Sequence, residues 1–230
     1  MGKRLAAVQS SYIPWKGYFD LINAVDEFVL LDDVQYTRRD WRNRNRIKTK
    51  DGVIWLTVPV QSKAHYQAPI RAITISDPGW NVRHWKTITA NYRRARCFTQ
   101  YAAVFEDLYL GATDNQLSLV NHRFLRAIAS LLGIGTKLSW SMDYRLPEGK
   151  SERLVALCLQ AGATTYVSGP SAKAYLDLDF FECHGIEVRF FDYGGYAEYD
   201  QLFPPFDHHV SIVDLVLNVG SDASRYLLSF

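Results

Sequence analysis

The chain has 230 residues, 48% of them hydrophobic, enough for a substantial core and too apolar for a disordered polypeptide. A net charge of +2 excludes a whole-molecule field that would draw it to DNA or an acidic membrane. The three cysteines Cys97, Cys158 and Cys183 are widely and irregularly spaced with no CxxC, so they offer neither a disulfide framework nor a zinc cluster.

In chain order, Leu5 to Val8 is an apolar run closed by Gln9, Ser10, Ser11 and Pro14, as in a buried strand entering a turn. Gly17 to Val25 follows with Tyr18, Leu21 and Ile22 at helical spacing, and Phe28 to Leu31 is a second strand ending at Asp32 and Asp33. Strand, helix and strand in this span predict a right-handed βαβ unit with parallel pairing. Val53 to Val60 and Ile70 to Ile75 read as further strands, and Trp80 to Tyr92, Ala102 to Gly111 and Gln116 to Leu132 as helices. Leu138 to Ser141 predicts a strand, Ser151 to Ala161 a helix, Thr165 to Ser168 a strand, Ala172 to His184 a helix and Glu187 to Phe191 a strand. Ser211 to Val219 closes the series as a short helix. The pattern predicts a Rossmann-like α/β fold, a parallel sheet flanked by helices, over 1–230 as one domain of two α/β halves.

The charges are unevenly spread. Asp33 to Lys50 holds seven Lys/Arg against two acids, Arg83 to Arg96 five bases and no acid, and Tyr175 to Asp214 nine acids against Arg189. The asymmetry predicts a local anion-binding face. No segment approaches the roughly 20 apolar residues of a membrane span. The run from Met1 to Ser11 is too short for a signal peptide, so a cytoplasmic protein is expected.

In an open α/β sheet the turn after the first strand lies where ligands bind, and here it concentrates Gln9, Tyr12, Trp15, Lys16 and Tyr18. Asp32 and Asp33 end the neighbouring strand; adjacent strand residues face opposite ways, so at most one of them would serve a given cleft as a base. The segment from Arg38 to Lys50 interleaves Trp41 with Arg42, Arg44 and Arg46, an arrangement suited to phosphate or carboxylate. His84, Lys86 and Tyr92 lie in a basic helix, where two-residue spacing sets His84 and Lys86 on different faces. Gly169-Pro170-Ser171 before a helix resembles a phosphate-cradling turn and makes Ser171 a candidate. No histidine pair has metal-ligand spacing, so no metal is expected. GxSxG, Walker A and GxGxxG patterns are absent. No cofactor is named by any motif, and nucleic acid is a weak expectation for one short basic stretch in a near-neutral chain.

Taken in order, Gln9 with Tyr12-Ile13-Pro14-Trp15-Lys16-Gly17-Tyr18-Phe19, Asp32-Asp33-Val34-Gln35-Tyr36, Trp41 with Asn43-Arg44-Asn45, Trp55 to Val60, and Ser211-Ile212-Val213-Asp214-Leu215 resemble the WbqC-like family nearly end to end. Ser10 departs from the proline expected after the glutamine. The resemblance adds Tyr36, Asn43 and Asn45 to the candidates. It implies a place in bacterial O-antigen and other surface-polysaccharide biosynthesis, with a glycine-transferase role suggested for one branch. Such an enzyme would acylate the amine of a sugar, usually one carried on a nucleotide. The resemblance thus implies a small-molecule substrate, phosphorylated or nucleotide-linked, that needs a phosphate clamp, aromatic platforms and a base. The strand, Pro-aromatic turn and acidic strand end are also more faintly similar to the nucleotidyltransferase-like α/β fold. Its enzymes carry a histidine in that turn, which this chain lacks, but the likeness keeps an ATP-dependent amide ligase in view.

Overall fold

The computed structural model describes residues 2–61 and 67–230. The chain opens with β1 (Lys3–Val8), α1 (Lys16–Asn23) and β2 (Glu27–Leu30), followed by a hairpin of β3 (Arg44–Thr49) and β4 (Gly52–Thr57). Three helices, α2 (Trp80–Tyr92), α3 (Phe98–Leu110) and α4 (Leu117–Leu131), lead to β5 (Lys137–Trp140). The remainder runs α5 (Ser151–Ala161), β6 (Ala163–Ser168), α6 (Leu178–Cys183), β7 (Glu187–Phe190) and α7 (Ile212–Val219).

Five parallel strands pair in the order β5-β2-β1-β6-β7. Numbered by appearance within the sheet they read 3-2-1-4-5, the doubly wound order of Rossmann-like folds. The winding reverses between β1 and β6, so the connections leaving these two strands diverge at their carboxyl ends and a crevice opens there. Strand alternation divides the core between two faces. Ala6, Phe28 and Leu30 face a large layer built from α1 to α4, α7 and the hairpin, whereas Leu5, Ala7 and Val29 face α5 and α6. Glu27, fully buried in β2, joins three strands: it pairs with Lys3 of β1 at 2.7 Å and Lys137 of β5 at 3.0 Å, and accepts from Ser139 at 2.6 Å. Burial opposes its ionisation, but the hydrogen bonds from Lys3, Ser139, Tyr144 and Lys137 together outweigh that and hold the carboxyl at about 2.

The basic segment contains a strand that composition conceals. In β3, Arg44, Arg46 and Lys48 share one face of the hairpin while Ile47, on the other, packs with Leu56 into the core. Three expected elements differ. The strand expected to reach Val60 stops at Thr57, just before Pro59, which has no amide hydrogen for a ladder. The alternation of Ile70 to Ile75 belongs to a 3-10 turn, Ile70–Ala72, flanked by isolated bridges that bury Ile70 and Ile73. The helix expected from Ala172 to His184 is split into a 3-10 turn, Pro170–Ala174, and α6. Extended Asp177 caps α6, its carboxylate accepting from the Phe180 amide at 3.1 Å. No helix among the described residues is long and apolar enough to cross a membrane.

Candidate functional site

The connection leaving β1 is held tightly. Ile13 adopts φ +36, a left-handed conformation that is costly for a β-branched residue and persists only where surrounding contacts impose it. Those contacts come from the hairpin segment and the chain's last helix. Tyr12 N donates to Trp41 O at 3.1 Å, Asn45 Nδ2 to Tyr12 O at 3.2 Å, and Ile212 N to Pro14 O at 2.9 Å. Arg42, with only 12% of its side chain exposed, spreads Nη1 over Gln9 O at 2.9 Å, Ser10 O at 3.2 Å and Ser11 Oγ at 3.1 Å. Gln9 O also accepts from the Tyr18 hydroxyl at 2.9 Å. At Gly17 a Cβ would come within 2.3 Å of the Trp15 ring, so the glycine lets the indole fold over the first turn of α1.

This loop and the basic segment meet around one hollow of about 240 Å³. Ser11, Pro14, Trp15 and Tyr18 form one wall, Trp41, Arg42, Asn45 and Arg46 the other, and His209 reaches in from the far end of the chain. The wall is mostly apolar, with Trp15, Tyr18 and Trp41 the large rings on it and the side chains of Arg42 and Arg46 among its lining residues. Trp15 lies over the His209 ring at 6.1 Å and 24°, and meets Tyr196 edge-on at 5.7 Å. Arg46 Nη2 and Nε donate to His209 O at 2.7 and 3.1 Å, tying the hairpin to that residue. The His209 Nδ1 stands 3.4 Å from an Asp207 carboxylate oxygen.

Several candidates lie elsewhere. Asp32 is fully buried; its carboxylate accepts from Ser10 N at 2.9 Å and from the Ser118 hydroxyl. Burial raises its pKa, with the Ser118 and Ser10 bonds opposing. It braces the turn from behind and has no opening to a substrate. Asp33 is held by Arg153 and by Ser141 Oγ at 2.5 Å, on the side of α5. Tyr12 is buried with its hydroxyl 2.8 Å from His84 Nδ1 and 3.1 Å from the Tyr109 hydroxyl, so it has no free ring face on which a ligand could stack. His84 Nε2 is 3.2 Å from Thr57 O; a carbonyl only accepts, so the ring proton sits on Nε2 and Nδ1 accepts from Tyr12. Burial lowers the His84 pKa to about 4, which keeps the ring neutral in the core. Lys86 is exposed on the outside of α2, and Ser171 is exposed in the turn after β6; neither lines the hollow.

Tyr92 belongs to a second buried network, its hydroxyl donating to Asp214 Oδ2 at 2.6 Å. Asn43 Nδ2 donates to Val58 O at 2.8 Å, and Asn43 lines a separate basic cleft with Tyr36 and Arg44. Arg42, Arg44 and Arg46 therefore do not converge as one clamp: the first holds the turn, the second lies over Trp55 with its guanidinium carbon 4.1 Å from the ring centroid, and the third borders the hollow. Lys16 is buried beneath the loop that follows β7. It donates to Ala197 O at 3.0 Å, with the Tyr196 and Tyr199 rings at 4.9 and 5.4 Å, and burial lowers its pKa to about 8 against the opposing pull of Asp20 and Glu198.

Sequence reasoning passed over His209 and Asp214. Asp214, also buried, accepts from Tyr199 at 2.8 Å and Gln201 at 3.0 Å as well as from Tyr92, pinning the loop before α7 to the hairpin side of the core. The available signal was the acidic, aromatic stretch from Asp192 to Asp207, which has no regular element of its own. Loops of that length in compact domains are usually functional.

Two similarities bear on this arrangement. The sequence model of the WbqC-like protein family matches residues 9–226. The uncharacterized protein Rv1507c of Mycobacterium tuberculosis is 52% identical over 225 residues, spanning 98% of this chain and 97% of that protein. No solved structure shows a significant match.

Proposed function

The chain belongs to the WbqC-like protein family, and on that premise we propose that it is a transferase that places an acyl or aminoacyl group, glycine among the candidates, on the amine of a phosphorylated or nucleotide-linked amino sugar for surface-polysaccharide (O-antigen) biosynthesis. One observation carries the reading: the loop leaving β1 and the basic segment share a single hollow, with Trp15, Tyr18, Trp41 and Arg46 on its walls. Indole and phenol faces suit the C–H face of a pyranose, and a guanidinium at the rim suits its phosphate. The site lies beside the switch point where doubly wound sheets bind ligands.

In the reaction the neutral sugar amine attacks the carbonyl carbon of an acyl thioester or of an ATP-activated carboxylate. The C–N bond forms, the bond to sulfur or phosphate oxygen breaks with its electron pair leaving on that atom, and the surplus amine proton passes to a base. Imidazole is the side chain suited to that exchange near neutrality, and among the described residues His209 is the histidine that lines the hollow. The assignment moves the base from Asp32, Asp33 and His84, whose polar atoms are engaged in the interior or with Arg153, to His209.

Incubation with nucleotide amino sugars and glycine plus ATP, or with acyl thioesters, is expected to yield the acylated sugar by mass spectrometry. His209→Gln should retain binding and lose product. Arg46→Ala should weaken sugar phosphate binding by about ten- to a hundredfold, the range for a hydrogen bond to a charged group. Sugar binding without product under every donor would overturn the transferase and leave a non-catalytic binding protein.

A further inference from the structure

Beside the hollow, on the hairpin face that carries Arg44 and Arg46, two indoles stand in the open. Trp41 is 41% and Trp55 43% exposed, with ring centroids 5.2 Å apart. An indole left this far in water contributes little to the core, and a paired, exposed set marks a binding surface. The guanidinium carbon of Arg44 lies 4.1 Å from the Trp55 centroid, and that of Arg46 lies 5.9 Å from both indoles. Among the described residues neither arginine has a carboxylate partner: Arg44 donates to Arg39 O and Arg46 to His209 O. The Arg44 Nε is buried with no acceptor, so among the described residues the charge on this guanidinium is answered by a carbonyl and not by a carboxylate. Trp41 and Arg46 line the hollow as well, so the platform and the hollow form one continuous surface.

We propose that the Trp41–Trp55 platform seats the base of a nucleoside diphosphate, with Arg46 and Arg44 taking the phosphates and the attached sugar entering the hollow. Flat aromatic faces bind a base by stacking, and two uncompensated guanidiniums fit a diphosphate in two-pronged fashion. An inorganic phosphate would use the arginines and leave both indoles idle, and a sugar phosphate seated in the hollow would leave Trp55 idle. This rests on the proposed function in placing the sugar in the hollow, and it narrows the acceptor from any phosphorylated amino sugar to a nucleotide-linked one.

Calorimetric titration of the full chain with uridine diphosphate, with adenosine and thymidine diphosphates alongside, tests the seat. Inorganic pyrophosphate and a short oligouridylate serve as separate arms. Each nucleoside diphosphate is expected to bind more tightly than pyrophosphate. Trp55→Ala should cost about tenfold, toward the low end of the contribution from one stacked base, while Trp55→Phe, which keeps a π face, should retain most of the affinity. Because Trp55 is exposed, the folded state of Trp55→Ala is checked by its unchanged melting temperature. Equal binding of diphosphate and pyrophosphate with no effect of Trp55→Ala overturns the proposal. Oligouridylate binding without nucleoside diphosphate binding overturns it in favour of RNA. Acylation of a simple amino-sugar phosphate with no nucleotide binding would sink the platform and spare the transferase; Trp55-dependent nucleotide binding with no product under any donor would do the reverse.

Discussion

His84 illustrates how burial changes what a residue type can do. Packed between Tyr12 and Thr57 O, its imidazole has a pKa lowered to about 4 from the usual 6.5. In the unfolded chain the ring takes a proton near pH 6.5, whereas in the folded chain it resists until about pH 4. The contribution is therefore fully present above 6.5 and is lost as pH falls from 6.5 through 4, on the order of 3 kcal/mol at the acid end. His84→Phe should be less stable at pH 7.5 by about 1–3 kcal/mol, since Thr57 O and the Tyr12 hydroxyl lose a partner. Its urea midpoint should also vary less than that of the parent chain between pH 6.5 and 4. An unchanged pH slope would contradict the buried neutral ring. Residue types in the sequence announce chemistry but not address: Asp32, Tyr12 and Tyr92 are chemically able, and each is consumed by a partner distant in sequence, Ser118, Tyr109 and Asp214 respectively.

Among the elements, the central strands β1, β2 and β6 were readable because burial on both faces leaves short runs of mostly apolar residues between turn residues. β3 was not, because Arg44 and Arg46 make one face basic, Lys48 on that same face is buried under the loop before α7, and only Ile47 with Asn45 and Thr49 turns toward the core. Its basic character was noticed, and that character helped mark the site, while its pairing with β4 went unseen. The first turn of α1 carries a sharper dependence. At Gly17 the Trp15 indole occupies the space a methyl group would need. Gly17→Ala raises helix propensity by up to about 1 kcal/mol yet must push Trp15 off His209 and out of its place in the hollow. The expected result is a melting temperature near that of the parent chain and ligand affinity reduced by an order of magnitude or more, measured by titration with the acceptor identified by mass spectrometry. Unaltered affinity would mean that Trp15 is not part of the binding wall.

For the whole molecule, the two apolar layers share the alternating residues of β1 and β2, and Glu27 binds β1, β2 and β5 through Lys3, Lys137 and Ser139. Neither layer keeps its sheet face if the other melts, so we expect one cooperative transition, coincident by fluorescence and far-ultraviolet circular dichroism. Two separated transitions would show that the α/β halves fold independently. Glu27→Ala should lower stability by about 1–3 kcal/mol by stripping partners from Ser139 and Tyr144. It should also remove an acid-labile contribution that is present above pH 4.5 and lost toward pH 2. The alternation of strands and helices made the doubly wound class legible, but the closing loop was not. The segment between β7 and α7 has no period to read, and one of its anchors, Lys16 under Tyr196, lies at the other end of the chain.

That loop has a consequence for synthesis. All five strands of the sheet are complete once Phe190 has been made, yet His209, the cage over Lys16 and the Ile212 amide that grips Pro14 O come later. Because α7 also carries Ile212, Val213, Leu215, Val216 and Leu217 into the large layer, a nascent chain lacks part of its core as well as one side of the pocket until the tail is made. Binding competence and the finished core should therefore arrive together when the tail folds back across the opening, and a ribosome stalled before residue 209 would carry a chain in which neither is complete.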